Sequence, residues 1–150
     1  MKILFFCPAL FIAMICSVKA QPARDSVIAA VNCLFKGMKN ADTALLKSCF
    51  SSNAVLQTIH EDKGSIKVSD EKLADFVDFV GKETAGAADE QIIVETVKID
   101  GPLAFVWTPY KFYYKGKFSH CGVNAFQLVR LSGEWKIQYI IDTRRKEACP

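Results

Sequence analysis

Six polar side chains in the C-terminal third of the chain could do chemistry together: Tyr110, His120, Asn124, Tyr139, Thr143 and Arg145. An imidazole can give or take a proton near neutral pH, and a phenol beside it can assist. The amide and hydroxyl can orient a small molecule, and a guanidinium can hold an anion. Metal chemistry is poorly supported. The two histidines, His60 and His120, lie sixty residues apart, and no two cysteines are spaced as CxxC. No cofactor is expected.

These residues matter only if the backbone brings them together. Ser132-Gly133 is a two-residue turn signal between strands Phe118 to Leu131 and Glu134 to Arg144. Pairing outward from that turn sets Leu131 opposite Glu134 and Leu128 opposite Ile137. Continued without interruption, it sets Phe126 against Tyr139, Asn124 against Ile141, Gly122 against Thr143 and His120 against Arg145. This face, which also carries Trp135, is apolar near the turn and polar at its far end, as a cavity with an apolar floor and a polar mouth would be. In the same register Asp142 and Arg144 fall on the opposite face, beside Val123 and Cys121. Asn124 is the most telling member, because burying an unpaired amide costs about 1–3 kcal/mol. Tyr110 and Tyr139 have a plainer role open to them, as packing rings whose hydroxyls reach water.

Upstream elements follow from the hydrophobic pattern. Asp25 and Ser26 are placed to cap a helix with Val27, Val31, Leu34, Phe35 and Met38 on one face, and Asp42 caps a short second helix. Asn53 to Ile59 reads as a strand, and the turn material through Gly64 leads to a short strand through Ile66 and Val68. Ser69 then caps a third helix bearing Leu73, Phe76, Val77 and Val80. Thr84 to Gln91 reads as a loop, and Ile92 to Ile99 as a strand ending at Asp100-Gly101-Pro102. Leu103 to Tyr114 is a long aromatic strand in which Pro109 marks a bulge or an edge. Helices early and a meander late define an α+β fold, three helices packed on one face of a curved, mostly antiparallel sheet.

Residues 1–20 read as a signal peptide. Lys2 is followed by the apolar run Ile3 to Cys16, and Val18-Lys19-Ala20 places cleavage before Gln21. Lipid attachment at Cys16 is disfavoured by Met14-Ile15. The expectation is one exported domain over 21–150, periplasmic or secreted. That domain has 17 basic and 16 acidic side chains, too little excess for a nucleic-acid partner, and no second run long enough for a membrane span. The charge is unevenly divided. Residues 21–102 carry 9 basic against 13 acidic groups, and residues 103–150 carry 8 against 3. A sheet with positive potential would suit an anionic small molecule, although two solvated faces account for the same split. Export makes disulfides plausible among Cys33, Cys49, Cys121 and Cys149, in any of three pairings.

The segment from Gly116 to Leu128, followed by Gly133-Glu134-Trp135-Lys136-Ile137 and Asp142-Thr143-Arg144-Arg145, resembles the nuclear transport factor 2-like superfamily. The resemblance extends over residues 24–147 and is nearest to exported bacterial members of the SnoaL-like and lumazine-binding group. It implies a cone-shaped α+β fold, often a homodimer through the sheet, with a pocket between sheet and helices. Enzymes of the superfamily, among them cyclases, isomerases and dehydratases, usually place an acid/base pair in that pocket. The matching positions here offer His120, Asn124 and Tyr139 but no inward carboxylate. The expected function is therefore binding of a small organic ligand by His120, Asn124, Tyr139, Thr143, Arg145 and Tyr110. The alternative is a pocket enzyme with His120 as general acid or base, and a third is a structural role with the cavity filled. Export and the even cysteine count motivate a tail disulfide, Cys121 to Cys149.

Overall fold

The computed structural model describes residues 20–150. Residues 1–19 of the signal segment, Cys16 among them, lie outside the described residues. Helix α1 (Ala20–Lys39) begins five residues before the expected cap. Asp25 instead accepts from Gln21 one turn earlier, and the Ser26 hydroxyl accepts from the Trp135 indole at 3.2 Å, joining α1 to the last strand. Helix α2 (Thr43–Ser48) starts as expected, with the Asp42 carboxylate accepting from the Leu45 N–H at 2.9 Å.

Strands β1 (Phe50–Asp62) and β2 (Ser65–Glu71) form a hairpin longer than the sequence suggested. Ser69, Asp70 and Glu71 pair with Thr58, Gln57 and Leu56, so Ser69 caps nothing. Helix α3 (Leu73–Gly81) follows from Lys72 without a side-chain cap. Cross-strand pairing has taken residues whose local preference was a helix start.

The expected loop at 84–91 is also partly strand. Strand β3 (Ala88–Ile92) and strand β4 (Thr96–Asp100) both pair with β5 (Leu103–Tyr114), one after the other along its edge. Pro109 sits at the changeover, where its carbonyl accepts from Ile93 and its missing N–H costs the ladder nothing. Strands β6 (Lys117–Leu131) and β7 (Glu134–Thr143) complete a seven-stranded sheet in the order β2-β1-β7-β6-β5-β3, with β4 also on β5. Only the β1–β7 pair is parallel. Turns at Lys115-Gly116 and Ser132-Gly133 have positive φ at both residues, as tight hairpins require. The core lies between α1, α2, α3 and one sheet face, centred on Val27, Val31, Leu46, Val80, Phe126 and Ile137. Trp107 is 39% exposed, its ring tilted against that of Phe105 with centres 6.4 Å apart. Among the described residues no helix is long and apolar enough to cross a membrane.

The terminal hairpin starts in the expected register and then leaves it. Leu131 faces Glu134 and Leu128 faces Ile137, but Gln127 faces Tyr139. Gln138 is an extra residue in β7, a bulge, and everything beyond it turns over. Asn124 consequently faces Asp142 rather than Ile141, and Phe126 faces Ile140 rather than Tyr139. The bulge is held from β1, whose own register jumps between Phe50 and Val55. The Gln138 amide donates to the Asn53 carbonyl at 3.2 Å, and its oxygen accepts from Ser51 at 2.8 Å.

Beyond the bulge, β7 closes tightly on β6. A Cβ at Gly122 would stand 1.7 Å from the Thr143 carbonyl oxygen and 3.0 Å from the Tyr110 ring. Cys121 is bonded to Cys149, with Cα atoms 5.6 Å apart, which ties the tail to β6; Cys33 and Cys49 are free thiols. Two outcomes follow. Gly122→Ala should destabilise the protein by about 3 kcal/mol or more in denaturant titration, because backbone rather than a side-chain tip must give way. Alkylation of the unfolded, unreduced protein followed by peptide mapping should label Cys33 and Cys49 and spare Cys121 and Cys149.

Candidate functional site

The space between helices and sheet contains an inner chamber of about 80 Å³ that opens into a mouth of about 280 Å³. Its apolar walls come from Leu34, Phe35 and Met38 on α1, Phe76 on α3, and Phe50, Leu56 and Ile140 on the sheet. Phe35 is fixed edge-on against the buried Phe126, with ring centres 6.1 Å apart. The amphipathic stripe of α1 thus serves the core at its N-terminal end and the chamber at its C-terminal end.

A connected polar network crosses the floor. Asp142, 8% exposed, accepts from the Thr58 hydroxyl at 2.7 Å, the Tyr110 hydroxyl at 3.0 Å and the Arg144 Nε at 3.0 Å. Tyr110 is 2% exposed, and its hydroxyl also lies 3.0 Å from the Thr143 carbonyl. Beside this group, Asn124 donates to the Glu90 carboxyl at 2.8 Å and approaches the Thr108 hydroxyl at 3.4 Å. Arg144 reaches outward as well, standing 3.9 Å from Glu71 at the mouth. His120 leans against the Tyr110 and Phe112 rings, and its Nδ1 lies 3.1 Å from the Ser119 hydroxyl.

The environment shifts these groups in directions useful for proton transfer. Burial drives the Glu90 carboxyl from its ordinary 4.5 to about 7, with the Asn124 hydrogen bond opposing and the Asp142 charge adding. Burial also raises Glu71, against the pull of Arg144. Tyr110 is raised by burial and by the nearby charges of Asp142 and Glu90, so its proton stays on the phenol. His120 is lowered by burial and by Arg144, which keeps its ring neutral at pH 7.

Of the six side chains singled out in the sequence, His120, Asn124 and Tyr110 line the cavity. Tyr139, Thr143 and Arg145 do not line it. Tyr139 donates to Gln57 on the other side of the bulge, and the Thr143 hydroxyl accepts from the Val123 N–H. Arg145 bonds Thr143 and the Ala148 carbonyl, and it borders a shallow outer depression. The missing inward carboxylate is corrected twice over. Asp142 enters because of the Gln138 bulge, and Glu90 enters from a strand that had been read as loop. Thr58, Glu71 and Arg144 were missed for the same two reasons, register and strand extent. One signal was present for Glu90: Ala88, Glu90 and Ile92 alternate on one side of Asp89 and Gln91. Nor does the cavity follow the net charge of the sheet, since three carboxyls and one guanidinium face it. Among the described residues, no cluster of three or more His, Cys, Asp or Glu is arranged to hold a metal ion.

Helices closing one face of a bent, mostly antiparallel sheet over a cavity define the nuclear transport factor 2-like fold. Solved structures agree. An NTF2-like protein of unknown function from Shewanella baltica OS155 is similar with a TM-score of 0.66 at 15% identity, over 85% of this chain and 98% of that one. A second, from Methylobacillus flagellatus KT, gives 0.63 at 14% identity over 86% and 96%. A structure described as a "putative dehydratase" of the NTF2-like family, from Streptomyces avermitilis, gives 0.61 at 14% over 83% and 97%. Residues 22–139 match the family described as "Putative lumazine-binding", and the chain belongs to that family. No curated protein matches it.

The Glu90 shift makes a prediction about stability. Between about pH 4.5 and 7 the folded protein holds a proton on Glu90 that the unfolded chain has released. Stability therefore falls as pH rises through that window, by up to roughly 3 kcal/mol from this group. Glu90→Gln keeps the acceptor for Asn124 and removes the charge. It should match the parent at pH 4.5 and exceed it at pH 8 by several degrees in Tm. Equal Tm differences at both pH values would contradict the assignment.

Proposed function

We propose that this is an exported protein that binds a small organic molecule in the cone, with the polar floor able to move a proton on it. The observation that carries this is a cavity with apolar walls and an open mouth whose floor sets the Glu90 carboxyl, bonded to Asn124, beside the Asp142–Tyr110 pair; burial there pushes Glu90 up to about 7. A carboxyl so placed lowers stability at neutral pH, and such a cost is characteristic of groups retained for a task. The lumazine-binding description of the family supports a small ligand without identifying it.

Catalysis is the second reading, and the two inward carboxyls favour it more than the sequence did. Glu90 would take or give the proton, since an acid titrating near the working pH is the most effective one. Asp142, held by three donors, would orient Tyr110 and Arg144. His120, neutral at the mouth, would accept a hydrogen bond or relay a proton.

Native mass spectrometry of the protein recovered from its own compartment tests the proposal. We expect an N-terminus at Gln21 and a co-purifying molecule that is lost on unfolding. Met38→Trp, which would fill the wall shared by chamber and mouth, should fold and carry none. A persistently empty protein that also ignores small-molecule probes would contradict a pocket role.

A further inference from the structure

The hydrogen-bonding inventory of the cavity is one-sided. Both Asp142 oxygens are taken, one by Thr58 and the other by Tyr110 and Arg144. Asn124 spends its amide hydrogens on Glu90 and Thr108, and only one Glu90 oxygen receives a bond. The Asn124 carbonyl oxygen and the second Glu90 oxygen are left over. No buried polar side-chain atom among the described residues lacks a partner, so these two are accessible, and both residues line the cavity. With Glu90 ionised, both accept and neither donates. Of the donors facing them, the Tyr110 hydroxyl lies between Asp142 and Thr143, and the Arg144 Nε is spent on Asp142 while its outer end pairs with Glu71 at the mouth.

Charge runs the same way. From β3 comes Glu90, from β2 Glu71, from β7 Asp142 and just past its end Arg144, from β6 the neutral His120, and from β5 the neutral Tyr110. The packed face of α1 contributes Met38 and no charge, since Lys39 is bound to Asp89. With Glu90 ionised, three negative groups face one positive group. An anion would meet this surplus with one guanidinium to offset it, itself paired with Asp142 and Glu71. A cation would meet two free acceptors and a low-dielectric surround that strengthens attraction.

We propose that the cavity takes a small cationic ligand, an apolar body bearing a protonated amine, with Glu90 and the Asn124 carbonyl as the ammonium's acceptors. The inference rests on the pocket reading above and specifies the chemical class of its ligand. It reverses the anionic ligand that the charge of the sheet had suggested. Because the ammonium needs Glu90 ionised, binding strengthens as pH rises through about 7, and below that pH it releases a proton.

Three probes of one shape separate the possibilities: benzylamine, benzyl alcohol and benzoate, titrated calorimetrically against the full mature protein. At pH 8 benzylamine should bind about tenfold or more tightly than benzyl alcohol, with benzoate weakest. At pH 5.5 that preference should shrink, and heats in two buffers of different ionisation enthalpy should show proton release. Glu90→Gln should abolish the preference while benzyl alcohol still binds, which distinguishes a lost counter-ion from a lost fold. Benzyl alcohol or benzoate binding as tightly as benzylamine at pH 8 would overturn the cationic assignment and leave the pocket standing. Failure of all three probes to bind at either pH would overturn both.

Discussion

The site depends on a single extra residue in the last strand. Gln138 has no partner on β6, so the alternation of β7 reverses after Ile137. Without that reversal Asp142 and Arg144 would point away from the helices, and Tyr139 and Thr143 would point toward them. With it, β7 presents Trp135 and Ile137 to the core and then Ile140 and Asp142 to the cavity, and Arg144 follows just past its end. The bulge is not a slack place in the sheet. Its side chain spans the matching irregularity of β1 through Ser51 and Asn53, so two strands deviate together and each satisfies the other.

The remaining features follow from this shared irregularity. The parallel β1–β7 pair resumes beyond it and brings Thr58 opposite Asp142, where its hydroxyl donates. Gly122 lets β6 and the Tyr110 ring lie against β7 at the same level, which completes the grip on Asp142. The Cys121–Cys149 bond then fixes the chain just past Arg144. A buried carboxyl with three donors is a satisfied group and holds the floor rigid. Glu90, with one donor, is the group left with capacity to spare.

Much of the fold was legible in the sequence because it is written in short-range chemistry. Turn dipeptides set the hairpins, Asp42 set α2, and the apolar stripe of α1 set the face that meets the sheet. The bounds of β5 were read to the residue. The site was less legible for two physical reasons. A bulge is specified by contacts between Gln138 and a strand eighty-odd residues earlier, which no local pattern encodes. Likewise, Glu71 and Glu90 lie on strands whose own sequences prefer a helix cap and a loop, and their pairing with β1 and β5 overrides that preference. His120, Asn124 and Tyr110 were visible because β5 and β6 pair without interruption from Leu103 to Phe112 and keep their alternation there.

The central claim is that Glu90 is a desolvated carboxyl poised near neutrality, and it can be observed directly. Carbon-13 NMR of the side-chain carboxyls in glutamate-labelled protein, followed from pH 3 to 9, reports each titration separately. The account predicts one glutamate with a midpoint near 7 whose signal disappears in Glu90→Gln. If the Glu90 carboxyl instead titrates near its ordinary 4.5, it is a solvated side chain and the reading of the cavity built on it is wrong.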